Sequence, residues 1–462
     1  MEGVLNPHAW AEQTFGAVEL GDRRRTRRLV AAATQIATHP GKPFTQIFDW
    51  NELRGFYRVC HQTTATLQAV QGPHWQQTRQ AMGQHALVLT IHDTSELDFT
   101  SHRRLSGVGQ IGNEAGRGFL QHNSLAIVPQ PRQVLGLSYQ QLHVRQPALP
   151  GESRYQRQRR VRESDWWYAG IRAAGGPPDG CCWVDVADRA GDDYEAMRAA
   201  REVGHHFLLR AKQNRRVGTT PTLDHQVLLL DHARSLRSQG ADVVDIPGRG
   251  GRPPRTAQVA LAATAVWVPA PDGTRRRWSQ PVLPVWVLRI WEPEPPAGVA
   301  EPLEWILLCS VPTTTLDELK ARRDWYCCRW MVEVFHDIEK NGCGEEERRF
   351  ATADRLETCL AVLSLVAVRV FQLRCALQVQ PDAPAEQAGT PAEIRLIRRF
   401  LGWNRQRLTV RAFVRGVAQL GGFLGRRHDG EPGVRALWRG YERLHDMVVG
   451  AHLDASVTDD SS

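Results

Sequence analysis

The spacing Tyr326-x2-Arg329-x3-Glu333-x6-Lys340 constrains this chain more than any other feature. Its polar residues step by 3, 4 and 7 (329−326, 333−329, 340−333). On a helix of about 3.6 residues per turn these steps fall on one stripe roughly 60° wide. The segment therefore reads as one long helix, from about Leu316 to Lys340. A phenol, a guanidinium, a carboxylate and an ammonium would then face the same way. Three of them suit a phosphate, and the carboxylate suits a metal ion bound to that phosphate. An ordinary solvated helix would more often pair Glu with Lys four apart.

Two further segments supply acids. His85-Ala-Leu-Val-Leu-Thr-Ile-His-Asp93 is an apolar, β-branched run that reads as a buried strand ending in an acid, and Cys181-Cys-Trp-Val-Asp-Val-Ala-Asp188 reads the same way. Either aspartate alone would most simply cap a loop. With Glu333 they make an all-oxygen set for hard divalent cations, the set that a two-metal phosphoryl-transfer site needs. His92, His122 and His336 border these segments, but their spacing does not make them ligands, and they read as packing or hydrogen-bonding residues.

The chain has 462 residues, enough for two or three domains. A formal net charge of +8 and a pI of about 9.2 fit a polyanionic partner. The clustering of that charge says more than its sum. Basic runs occur at residues 22–28, at Arg210-Ala-Lys212-Gln-Asn-Arg215-Arg216 and at Arg275-Arg276-Arg277. The nine cysteines include no C-x-x-C pair and no zinc-ligand spacing, so they read as buried thiols in a reducing cytoplasm. The N-terminal residues do not read as a signal peptide. The longest apolar stretch, around Leu360–Val368, is interrupted by Arg369 and Arg374 and reads as a buried helix rather than a membrane span.

Along the chain, residues 1–70 read as a small basic helical module, with helices across Ala9–Gln13, Val30–Thr38 and Asn51–His61. Residues 71–215 read β-β-β-α-β-α-β. This order comprises the Asp93 strand, a hairpin of Phe119–Val128 and Val134–Val144, a helix near Asp165–Ala174, the Asp188 strand, a helix at Asp193–Val203 and the strand His206–Arg210. Residues 217–303, rich in Pro, Gly, Val and Trp, read as a β-rich insertion containing a strand at Val285–Trp291. After a strand at Trp305–Cys309 come the long helix, an apolar helix at 352–378, a polar linker at Pro381–Pro391, and helices over 392–452 broken at Gly421-Gly422 and Gly430–Gly433. The last ten residues read as frayed.

These motifs resemble the DDE cut-and-paste transposases of the insertion-sequence-4 family, transposon-5 type. The Tyr326/Arg329/Glu333/Lys340 spacing is similar to that family's Y-R-E-K signature with no change. His92-Asp93-Thr94-Ser95 resembles its first-acid segment. Asp188-Arg189-Ala190-Gly191-Asp192 resembles its D-R-E-A-D segment, with departures at 190 and 191. Leu20-Gly21-Asp22-x-Arg24-Arg25-Thr26, Ser364-Leu-Val-Ala-Val-Arg369 and Leu420-Gly421-Gly422-Phe423 extend the likeness over most of the chain.

The resemblance implies an α/β fold with a ribonuclease-H-like, mixed-sheet catalytic core at 71–378. That core would carry the insertion at 217–303 and be flanked by a helical DNA-end-binding domain at 1–70 and a helical dimerisation domain at 379–462. It implies Asp93, Asp188 and Glu333 as catalytic metal ligands for two Mg²⁺ ions, replaceable by Mn²⁺. It implies DNA contacts by Tyr326, Arg329, Lys340, Arg210, Lys212, Arg24, Arg25, Arg28 and Lys42, with Trp305 stacking on a flipped base. The partners implied are double-stranded DNA, both transposon inverted-repeat ends and target, and a second copy of the chain. The chain is expected to be a monomer in free solution that pairs on DNA through helices around Val414–Val449. No membrane partner is expected, and the expected location is the bacterial cytoplasm, on the nucleoid. Two alternatives stay open beside an active transposase: a non-catalytic DNA-binding regulator or decayed copy, and a ribonuclease-H-like nuclease without strand joining.

Overall fold

The computed structural model describes residues 6–459 apart from 114, 147–150, 154–162, 247–253, 273–280, 300, 380, 404–406 and 427–428. The basic run Arg275-Arg276-Arg277 lies outside the described residues. The N-terminal helices are α1 (Pro7–Phe15), α2 (Arg23–Thr38) and α3 (Trp50–Cys60). Each starts where a side chain satisfies the free amides of its first turn: Asn6 for α1, Asp22 for α2, and the Asp49/Glu52 capping box for α3. A fourth helix, α4 (Leu67–Met82), starts at Thr66 and carries Pro73 inside it. No helix was expected there, because an internal proline usually ends one.

The sheet begins with β1 (Leu87–Asp98), β2 (Gly109–Ile111), β3 (Gly116–Val128) and β4 (Gln133–His143). Helix α5 (Glu163–Ala174) leads to β5 (Cys182–Ala187), and α6 (Tyr194–Glu202) leads to β6 (His206–Arg210). The expected β-β-β-α-β-α-β order is therefore present, with the small β2 added. The insertion provides β7 (Arg216–Gly218), β8 (Gln226–Leu228), β9 (Gly240–Ile246), β10 (Arg255–Pro269) and β11 (Val282–Trp291), and β12 (Glu304–Cys309) follows it. It is β-rich, and it extends the same sheet. The strand order is β2-β3-β1-β5-β6-β12-β11-β10-β7-β8, with β4 on β3 and β9 on β10. Strands β1, β5 and β6 run parallel and their neighbours antiparallel. The chain is thus α/β with a mixed sheet and flanking helices, consistent with a ribonuclease-H-like core.

Three C-terminal expectations change. The stripe-bearing segment is two helices, α7 (Leu316–Cys327) and α8 (Trp330–Asp337), followed by a wider π turn over Ile338–Gly342. At the junction the amides bond back three residues: Arg329 N–H to Tyr326 O at 3.0 Å, and Met331 N–H to Cys328 O at 2.9 Å. A tightened turn and then a π turn both depart from 3.6 residues per turn, so a stripe drawn through them drifts by Lys340. Next comes α9 (Ala353–Val379), which passes through the main core. Its most apolar part is long and apolar enough to cross a membrane, yet 78% of that window is buried in the fold.

The presumed polar linker is folded. It contains a short 3₁₀ turn, Ala385–Gln387, and Ala385 and Ala388 pack into a cluster with α10 (Pro391–Leu401), α11 (Val410–Leu420) and α12 (Val434–Asp459). Helix α12 runs to Asp459, through most of the residues expected to fray.

Candidate active site

Alternation along the strands puts the first two acids on one face. Leu89 and Ile91 of β1, with Val184 and Val186 of β5, face the main core. Side chains two apart share a face, so Asp93 and Asp188 project on that same side, where Val332 and Phe335 of α8 also pack. The backbone at Asp188 is still extended, and its side chain accepts a 2.7 Å hydrogen bond from the Ala190 amide. The opposite face carries a different set. His92 bonds Asp185 at 3.0 Å and Ser124 at 2.9 Å, and Asp185 bonds His205 at 2.9 Å. His122 lies 3.0 Å from the Thr94 hydroxyl. The first two histidines are thus held in buried hydrogen bonds, and His336 is buried as well.

Arg329 ties the acids together. Its Nη1 lies 3.7 Å from Asp93 Oδ2 and 3.3 Å from Glu333 Oε1. Asp93 is pushed up to about 7 by burial first and then by the neighbouring Asp188 charge, with Arg329 opposing and Glu333 adding. Asp93 thus feels the charge of both other carboxylates. The donor chemistry suits divalent cations: all oxygen, crowded, and still short of positive charge with Arg329 present. Among the described residues, however, no three His, Cys, Asp or Glu groups already stand at metal-ligating spacing. Arg329 supplies the counter-charge that a cation would supply, and it would have to swing aside to admit one.

Beside the acids sits an aromatic and cationic pocket. Tyr326 is buried and packs edge-on against the half-buried Trp305 of β12, with ring centroids 5.1 Å apart. Burial pushes the Tyr326 hydroxyl up; Arg210 and Arg329 pull it down, and Arg210 also shares a hydrogen bond with it. Burial pushes Arg210 down, with Arg189 and Arg329 adding like charge. Arg210 Nη2 donates to Glu304 O at 3.1 Å. Arg189, a residue of the second-acid segment, also acts on Arg210, a proximity that depends on a long-range strand pairing that the sequence does not display.

The remaining candidates lie elsewhere. Lys340 lies in the π turn, 4.0 Å from Glu346. Lys212 is exposed, on a loop anchored by the buried Asp192, which accepts the Lys212 and Gln213 amides at 2.7 and 2.9 Å and pairs with Arg215. The anchoring role of Asp192 had no sequence signal. Arg24 and Arg28 are exposed on α2, with Arg24 paired to Asp22, while Arg25 braces the preceding loop through Leu20 O at 2.9 Å. Lys42 is bound to Asp446 of α12 at 2.8 Å.

Residues 7–64 match the family model described as transposase DNA-binding. Residues 366–461 match the one described as transposase Tn5 dimerisation domain. The two matches support a Tn5-type transposase. They place DNA binding at the basic helical N-terminal end, where Arg24, Arg25, Arg28 and Lys42 lie, and homodimer formation at the C-terminal end, in α10 to α12. Asp93, Asp188 and Glu333 lie between the two matched segments.

Proposed function

We propose that the chain is a DDE transposase of the insertion-sequence-4 type. Asp93, Asp188 and Glu333 would hold two Mg²⁺ ions, for which Mn²⁺ substitutes. The observation that carries the reading is Arg329 standing between Asp93 and Glu333, with Asp188 on the same sheet face as Asp93, in a chain whose two ends match transposase models. When bound, the ions would polarise the phosphodiester and activate the attacking oxygen.

The protein's own share is binding and orientation. The three carboxylates fix the cations. Arg329, released from Glu333, and Arg210 would grip the phosphate beside the cut, as guanidiniums do through paired N–H donors. Tyr326 adds a hydroxyl, and Trp305 offers a ring face on which an extruded base can stack, an interaction worth about 1–3 kcal/mol per base. Lys340 would join only after movement at the π turn. Exposed Arg24, Arg28 and Lys212 would hold phosphates farther away, and Lys42 would do so once freed from Asp446.

The steps proposed are those of the resembling family. Water attacks a phosphodiester at the element's end and frees a 3′-hydroxyl. That hydroxyl attacks the opposite strand, forming a hairpin and releasing the flank. Water reopens the hairpin, and the 3′-hydroxyl then joins target DNA. The test is a single-turnover assay with Mg²⁺ on a duplex bearing the element's end, run on a denaturing gel. Nicked and hairpin products from the wild type, with none from Asp188→Ala at equal DNA binding, support the proposal. Cutting by Asp188→Ala refutes it. Binding without cutting by the wild type would identify a regulator instead.

A further inference from the structure

A second polar site, apart from the acid cluster, lies where the two matched segments meet. The chain is closely fitted there. Gly41, at φ +85°, lies so near Trp438 that a Cβ would sit 2.0 Å from the indole ring. The rings of His39 and His445 meet edge-on with centroids 3.9 Å apart. Beside this joint is a cavity of about 60 Å³ bounded by the end of α2, Pro40, and helices α9 to α12. Its apolar walls include Leu373, Val414 and Leu437.

Its polar lining is unbalanced. Arg369 and Arg374 of α9 both reach the cavity, with Glu393 and Tyr441. Arg369 is fully buried, donates to Ala37 O at 3.0 Å and feels the Glu393 charge. Glu393 is itself engaged as a helix cap, its Oε2 accepting from the Thr390 amide at 2.7 Å. Arg374 is half-buried, burial pushes its pKa down, and among the described residues no hydrogen bond or ion pair offsets it. The Tyr441 hydroxyl is also buried without a partner. Burial pushes both His39 and His445 down, so neither carries charge at neutral pH. One guanidinium thus remains uncompensated beside an unused hydroxyl donor, which is costly unless an anion completes the site.

We propose that this cavity binds a small singly charged oxyanion with a short apolar tail, held by Arg374 and Tyr441, and that its occupancy fastens the N-terminal module to the dimerisation domain. The volume admits about four to six non-hydrogen atoms, which excludes nucleotides and suits a short-chain carboxylate or a phosphate. Because Ala37, Thr38 and Pro40 line the cavity together with Arg374 and Tyr441, a ligand filling it stabilises the closed joint by mass action.

The test uses the full chain at constant ionic strength in chloride, titrated separately with butyrate, acetate and inorganic phosphate. Melting temperature and hydrogen exchange are followed together. The expected result is a saturable rise in melting temperature with slowed exchange at residues 37–42 and 438–445. Butyrate should act at lower concentration than acetate or phosphate; phosphate acting at the lowest concentration overturns the assignment of an apolar-tailed carboxylate. Arg374→Leu should weaken the response at least about tenfold without lowering the melting temperature in chloride, because it removes a half-buried unpaired cation. Tyr441→Phe, the milder variant, should weaken the response and leave the melting temperature unchanged. No saturable response to any probe, or one that survives both substitutions, overturns the proposal.

Discussion

Two groups of acids sit within a few turns of each other, and they solve opposite problems. Asp93, Asp188 and Glu333 are partly open, and a guanidinium stands between two of them. Glu339 and Glu345 are fully buried, with amides and a hydroxyl around them. Gln121, Asn123 and Gln140 each donate to Glu339 at 3.2 Å, and Ser364 donates to Glu345 at 3.0 Å. Burial pushes both of these carboxyls above the usual range; the Glu345 charge adds to the shift of Glu339, and the Glu346 charge adds to that of Glu345. The first group lies in a partly open space beside a guanidinium, and burial raises Asp93. The second keeps its protons and serves as a hydrogen-bonded floor linking the π turn to β3, β4 and α9. Acid count does not separate the two; access to solvent and the sign of the neighbouring charge do.

The sharpest way to break this contrast is by activity. Asp93→Ala, Asp188→Ala and Glu333→Ala should each lower end cleavage by about 10³-fold or more, while Glu339→Gln and Glu345→Gln should cost less than about tenfold. Equal losses from both groups in the single-turnover assay would erase the distinction.

Asp192 gives a third environment, buried like the pair but fully paired. Asp192→Ala leaves two amides and Arg215 without their acceptor and should cost about 2–4 kcal/mol in denaturant unfolding.

The buried pair has a pH signature. Its folded pKa values lie above the unfolded value of about 4.3, so the stability it contributes is fully present below that pH. That contribution falls as pH rises towards the folded values. Glu345→Gln should therefore be near neutral at pH 5 and stabilising by about 1–3 kcal/mol at pH 8.5, measured by urea unfolding at both pH values. An identical pH slope in the variant would mean that the pair is ionised.

The smallest effect belongs to the open group. Glu333 is 34% exposed and its bonds to Arg329 are 3.3–3.4 Å long, so Glu333→Gln should change the stability of the metal-free chain by less than about 0.5 kcal/mol. A larger loss would make that pair part of the scaffold.

The strand-borne half of the site was legible because alternation is strict. A continuous apolar run marks β1 and β5 as buried strands, and side-chain direction puts Asp93 and Asp188 on the core face, although β1 runs on to Asp98 instead of ending at Asp93. The helix-borne half was legible only in part. The spacing placed Tyr326, Arg329 and Glu333 together, but extrapolation to Lys340 assumed a uniform helix, and local turns of other widths decide where that ammonium ends up. Glu339 and Glu345 had no sequence signal, since nothing local shows that they meet Gln121 and Gln140 from a distant hairpin. Helix α4 was not read from the sequence; it packs against β4 and α9 with Pro73 inside it.

The central claim is that three distant acids share divalent cations. Anomalous diffraction from crystals soaked in Mn²⁺ tests it most directly. The account predicts a metal peak ligated by Asp93, Asp188 and Glu333, with Arg329 displaced from between Asp93 and Glu333. Saturating Mn²⁺ with no peak at these carboxylates, and Arg329 still bridging them, would contradict it.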